Sequence, residues 1–294
     1  MKTKLKEIYE QKYKLLLIFP LALVVLALLL IGIQYAATGD FVHKGISLKG
    51  GSTITLTFVP TIPPAELETF LQGKFPQADF DIRTLSAAGQ TIGIAIDSGA
   101  QQNEEITALL SIIREKVPLQ EGQYSIEIVG SSLGESFFRQ TFKALIIAFI
   151  LMGMVVFIYF RTLIPSAAVI AAAFSDIVVT LAIFNLTGEK LSTSGVAAFL
   201  MLIGYSVDTD ILLTSRVLKR QEGTVMERIY GAIKTGMTMT WTTLAAVIVT
   251  LFLVESEVIK QIMLILLIGL LVDMVMTWIQ NVGMLRLYLE RKKK

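Results

Sequence analysis

A chain of 294 residues, 54% hydrophobic and only 17% charged, has the composition of a protein that lives in a membrane. Cys is absent, which excludes disulfides and thiolate metal sites, and the single histidine, His43, excludes His-rich zinc sites and any Ser-His-Asp triad not built on that ring. The formal charge of +2 is too small to point to nucleic acid, and the basic residues stand at the ends of apolar segments rather than on one patch.

Leu15 to Ile33 is apolar over about nineteen residues, longer than the roughly 7–15 of a signal-peptide core. It reads as an uncleaved first membrane helix, with a small kink at most from Pro20. His43 falls in the entry to the next region and reads as a loop residue. Ser52 to Val59 alternates with period two and predicts a strand. Pro63-Pro64-Ala65-Glu66 opens a helix through Lys74. Asp79 to Leu85 and Thr91 to Ile96 predict two strands around a turn at Ala88-Gly89-Gln90. Asn103 to Val117 predicts a helix with Ile106, Leu109, Leu110 and Ile113 on one face, and Tyr124 to Val129 a last strand. The order β-α-β-β-α-β is that of a ferredoxin-like unit, and residues 34–140 suffice for one soluble core. No phosphate loop, metal spacing or nucleophile–base pair stands in it, so it reads as an interaction domain.

Five further stretches are long and apolar enough to cross a bilayer: 142–160, 163–186, 194–214, 237–254 and 260–284, within a bundle spanning 141–285. Lys and Arg set the orientation. Lys2, Lys4, Lys6, Lys12 and Lys14 fill the N-terminal segment 1–14. Arg161 follows the second helix; Arg216, Lys219, Arg220, Arg228 and Lys234 lie between the fourth and fifth. Arg286, Arg291 and Lys292 to Lys294 fill the basic tail 286–294. The short loops opposite hold only Lys190 and Lys260. Both termini are therefore expected in the cytoplasm and residues 34–140 outside.

Polar residues inside these helices are the candidate functional groups, because an ionisable side chain at mid-bilayer costs roughly 2.5–3.5 kcal/mol and marks a pathway or a pairing. Asp176 with Thr180 lies in the third helix, Asp208 and Asp210 in the fourth, and Asp273 with Thr277 and Gln280 in the sixth, at overlapping depth. Asp208 and Asp210 point about 200° apart, so at most one of them meets Asp176 or Asp273. Thr235, Thr238 and Thr242 form a stripe in the fifth helix that reads as interhelical glue. For the carboxyls, glue and proton relay compete. No catalytic, cofactor-binding or metal-ligating set is expected.

The order of one helix, an external ferredoxin-like domain and five more helices resembles SecF of the SecD/SecF family, within the resistance-nodulation-division superfamily. The residues that carry the resemblance are Gly45-Ile46-Ser47-Leu48-Lys49-Gly50-Gly51, similar to the family's G-I-D-F-x-G-G, then Gly204-Tyr205-Ser206-Val207-Asp208-Thr209-Asp210 with Arg216, and Thr240-Trp241-Thr242-Thr243. The V-D-T-D form is similar to archaeal members. Ser47 stands where the family has Asp. Aligned on these motifs, Thr209 stands at a fourth-helix Asp and Thr235 at a fifth-helix Arg implicated in proton-coupled work in bacterial members, so a relay would have to use Asp208 or Asp210. The resemblance implies a non-enzymatic accessory subunit of Sec protein translocation. Its implied partners are SecD, the Sec channel, the translocating polypeptide and membrane lipids, and its implied energy source is the proton gradient. A self-contained exporter working as a homo-oligomer and a scaffold for SecD are the alternatives. An intramembrane aspartyl protease is disfavoured because IGYSVDTD lacks Gly-x-Gly-Asp.

Overall fold

The computed structural model describes residues 9–76, 78, 80–87, 90–120, 122–220, 222–254 and 256–292. Lys2, Lys4, Lys6, Asp79, Ala88, Gly89, Lys293 and Lys294, on which expectations above rest, lie outside the described residues.

The first membrane segment is two pieces, α1 (Tyr13–Leu16) and α2 (Ile18–Thr38). Leu17 divides the two pieces while keeping right-handed helical dihedrals, and Pro20 falls in the first turn of α2, where its missing N–H needs no partner. Past Gly39 the chain makes a short helix, α3 (Ile46–Lys49), within the glycine-bounded motif.

The extramembrane unit follows as β1 (Gly51–Leu56), α4 (Pro64–Lys74), β2 (Phe80–Ala87), β3 (Gln90–Ser98), α5 (Asn103–Lys116) and β4 (Tyr124–Val129). The sheet order is β2-β3-β1-β4, every neighbouring pair antiparallel, as in a ferredoxin-like unit. Period-two alternation sends Ile54 and Leu56 of β1 to the helix-covered face beside Ile94 and Ile96 of β3. Leu67 and Leu71 of α4, with Leu109 and Ile113 of α5, close that core. The other face is polar: Asp97 accepts from Thr53 Oγ1 at 2.8 Å and pairs with Arg83 at 2.8 Å.

The remaining membrane helices are α6 (Ser131–Phe160), α7 (Leu163–Leu186), α8 (Thr193–Lys219), α9 (Val225–Leu253) and α10 (Glu257–Val275). A π-helical segment, Met276–Asn281, joins α10 to α11 (Val282–Lys292). Among the described residues six helices are thus long and apolar enough to span a membrane. α6 and α9 both begin well before their apolar stretches. Gly134 carries α6 past the root of the extramembrane unit, so close that a Cβ there would lie 2.6 Å from the Gly50 nitrogen. α9 is started by a reciprocal cap between Thr224 and Glu227. An apolar window measures the part of a helix that lipid surrounds, not the helix itself. α7 lies innermost, its buried Ala168, Ala172, Ala173, Ser175 and Ala182 allowing neighbours close approach. α2 and α6 lie outermost and expose rows of Leu, Ile and Val.

Candidate functional site: carboxyls between three membrane helices

α7, α8 and the α10–π junction each contribute one fully buried carboxyl: Asp176, Asp210 and Asp273 are at most 1% exposed. α8 lies between the other two because Leu202, Ile203, Ser206, Val207, Asp210 and Leu213 form its buried stripe. From that stripe Ser206 Oγ donates to Asp176 Oδ2 at 2.5 Å, and Thr209 Oγ1 lies 3.2 Å from both oxygens of Asp273. Thr277 Oγ1 donates to Asp273 Oδ1 at 2.9 Å and Asn281 Nδ2 to Asp210 Oδ1 at 2.7 Å. Gln280 Nε2 donates to Ser175 Oγ at 3.0 Å.

The π segment makes this convergence possible. Met276, Thr277, Trp278, Gln280 and Asn281 are all buried, a wider inward face than an α-helical turn presents, so Thr277 serves Asp273 while Asn281 reaches Asp210. Asn281 was missed in the sequence, although it continues the 273-277-280 polar stripe at i+4 from Thr277.

Donors fall short of acceptors. Among the described residues, Asp176 Oδ1, Asp210 Oδ2, Gln280 Oε1 and Asn281 Oδ1 have no hydrogen-bond partner, nor do the hydroxyls of Thr180 and Thr214. Thr180 lies one turn beyond Asp176 toward the side of the extramembrane unit. Thr214 lies one turn beyond Asp210 toward the side of the chain termini. The single proton of Thr209 Oγ1 faces Asp273 and also the carbonyl of Ser206 at 2.9 Å, so it serves one acceptor at a time. Among the described residues no Lys or Arg forms an ion pair with any of the three carboxyls. The nearest candidate by sequence, Arg216, is spent on α9, where it donates to Gly231 O and Thr235 Oγ1.

Of the two fourth-helix carboxyls one joins the cluster, as the roughly 200° between them requires. Asp208 is exposed, on the opposite side of α8 from Asp210, and takes no part in this network. The bulky apolar stripe of α8 turns inward and carries Asp210 with it. Within this chain only one member of the α9 Thr stripe joins helices. Thr238 and Thr242 are exposed and donate to carbonyls of their own helix, as does Thr243, and only Thr235 engages another helix. Thr240 is buried but donates to Gly236 O of its own helix.

The motif glycines have structural work. Gly50 (φ 86°) and Gly51 (φ 141°) adopt conformations that L side chains avoid, and a Cβ on Gly50 would lie 2.4 Å from Ser131 Cα. Gly45 packs on the carbonyl of Leu191, whereas the space beside Gly204 is open.

The family profile described as "Protein export membrane protein SecD/SecF, C-terminal" matches residues 108–291. The chain belongs to the SecD/SecF family. Protein-export membrane protein SecF of Pyrococcus furiosus is 39% identical over 99% of this chain and 96% of its own length. SecF of Methanothermobacter thermautotrophicus is 39% identical over 95% and 94%. The crystal structure of SecDF, a translocon-associated membrane protein from Thermus thermophilus, superposes with a TM-score of 0.74 at 20% identity. That likeness is one of fold; it covers 95% of this chain and 38% of the SecDF chain. The chain is thus a multi-pass membrane protein of the SecF type.

Proposed function

We propose that this chain is an accessory subunit of the Sec export machinery, pairing with SecD and driven by proton binding at Asp176, Asp210 and Asp273. The observation that carries the reading is three buried carboxyls from three helices, linked through hydroxyls and an amide, with no Lys or Arg paired to them among the described residues. An uncompensated charge there is costly, and protonation removes it without a partner cation. Binding or losing one changes which of Ser206, Thr209, Thr277 and Asn281 must donate, and so which helix arrangement is preferred. Thr180 and Thr214 extend the polar track toward the two faces of the membrane. The Lys and Arg bias puts the termini in the cytoplasm and the extramembrane unit outside, where it meets the translocating polypeptide.

Asp208 supports the partner. It shares an exposed stripe of α8 with Met201, Gly204 and Tyr205, and a carboxyl facing lipid is costly. A SecD helix packing at Gly204, with a donor or cation at the depth of Asp208, removes that cost.

The test is gradient-driven export with channel and SecD present. Asp210→Asn, at unchanged abundance in the membrane, should slow export about tenfold or more. Asp208→Asn should leave the driven step intact and loosen SecD during mild-detergent purification. Undiminished export by Asp176→Asn, Asp210→Asn and Asp273→Asn alike would discard proton drive, and recovery of a homodimer without SecD would discard the pairing.

A further inference from the structure

The loop joining α7 to α8 is held from two sides. On one side Leu191 forms a parallel bridge with the root of the extramembrane unit: its N–H donates to His43 O at 2.7 Å, and Gly45 N donates to its carbonyl at 2.8 Å. Thr193 N adds a contact to Ser47 Oγ at 3.3 Å, and Asn185 Nδ2, at the end of α7, donates to Phe41 O at 2.9 Å. On the other side stands Gln261, in the first turns of α10. Its Nε2 donates to Lys190 O at 2.8 Å, while Oε1 accepts from Ser192 N at 3.0 Å and Ser192 Oγ at 2.5 Å.

One carboxamide thus grips the backbone on both sides of Leu191. The surroundings leave it little play: a Cβ on Gly195 would lie 2.6 Å from Gln261 Oε1. Leu191 itself is buried with Val42 and Leu48 of the root and Leu266 of α10. The elements that meet here are those that carry the carboxyls. α7 and α8 are joined by this loop, and α10 runs from Gln261 to Asp273, about 18 Å at 1.5 Å per residue.

We propose that Gln261 is the coupling residue through which displacement of α10, the helix that carries Asp273, reaches the extramembrane unit. The inference rests on the proton-driven reading above. A helix is stiff along its axis, so a shift of α10 at Asp273 arrives at Gln261 undiminished. Gln261 passes it to residues 190–192, and the main-chain bonds of Leu191 pass it to residues 43–45. Without the carboxamide the loop stays on the root, and α10 moves without it.

The absence of cysteine allows spin-label distances to be read in the full chain bound to SecD. One labelled pair, Thr69→Cys on α4 with Phe252→Cys on α9, follows the extramembrane unit. A second, Leu271→Cys on α10 with Met239→Cys on α9, follows the bundle; all four positions are exposed. Neutralisation of the α10 carboxyl, Asp273→Asn, is expected to shift both distances. In a Gln261→Met background, which keeps side-chain length, the bundle shift should persist while the domain shift falls below about half. Gln261→Glu, which keeps the acceptor for Ser192 and loses the donor to Lys190, should lie between. A domain shift as large in both Gln261 variants as in the native chain overturns the coupling alone. A native chain in which neither pair responds overturns the proton-driven reading and the coupling with it.

Discussion

Asn281 holds Asp210 through a single amide, and the second oxygen of that carboxyl has no partner. Asn281→Ala would leave both oxygens unsatisfied in a fully buried position, a loss of about 1–3 kcal/mol. A double-mutant cycle with Asp210→Ala separates the contact from the cavity: the coupling should be on the order of 0.5–3 kcal/mol by chemical denaturation in detergent. Coupling indistinguishable from zero would mean that the contact carries no stability. The partition of residues between legible and hidden follows the same physics. That Asp176 and Asp273 lie at matching depth is arithmetic on a rise per residue, and that only one of Asp208 and Asp210 joins them follows from 100° per residue. Which of the two does so depends on the side from which neighbours pack on α8. The bulkier stripe of Leu202, Ile203, Val207 and Leu213 on the Asp210 side is the signal in the helix's own sequence, and packing by α7 and α10 acts on it.

At the scale of elements, the π segment decides more than any single side chain. It places Trp278 against α9 at Gly236, where a Cβ would lie 2.3 Å from Trp278 Cζ2 and 2.6 Å from Cη2. Gly236→Ala should therefore force α9 away from the junction that supports Asn281 and Thr277. The expected cost is about 1–3 kcal/mol, the range for overpacking a filled interior. Trp278→Phe removes the ring atoms in the way, so the double variant should recover most of the loss that Gly236→Ala causes alone. Equal losses in the single and double variants would place the strain elsewhere. Helix existence was legible from apolar length, and the reciprocal cap at Thr224 and Glu227 marks where α9 starts. The π turn was not legible, because Met276 to Asn281 contains no Gly or Pro to mark a break and its widening answers to packing against α7 and α8. The placement of the α9 Thr residues was hidden for a related reason: hydroxyls that look available for glue are satisfied by carbonyls one turn back, which leaves the helix free to turn them outward.

The whole molecule divides into a unit that water can stabilise and a bundle that lipid must surround. The unit's ends meet, since Gly51 and Val129 are register partners in adjacent strands, so residues 51–129 can be excised without opening the sheet. With a core built from both faces of contact, Ile54, Ile96, Leu71 and Ile113 among them, the excised unit should melt cooperatively. It also carries a pH signature. Glu105 accepts from the backbone N–H groups of Gln101 at 2.9 Å and Gln102 at 3.2 Å, and these two bonds hold its carboxyl below the usual range. A folded-state value below the unfolded one means stabilisation that is present above the unfolded value and is lost as pH falls through the folded one. Glu105→Gln keeps an acceptor but removes the charge that titrates. The native unit should accordingly melt higher than Glu105→Gln at about pH 7, and the gap should narrow as pH falls below the ordinary glutamate value and through the lowered folded one. Melting curves across that range decide the matter. A gap unchanged at the acid end would assign the cap's contribution to hydrogen bonding alone, and the lowered value at Glu105 would have no bearing on the unit's stability.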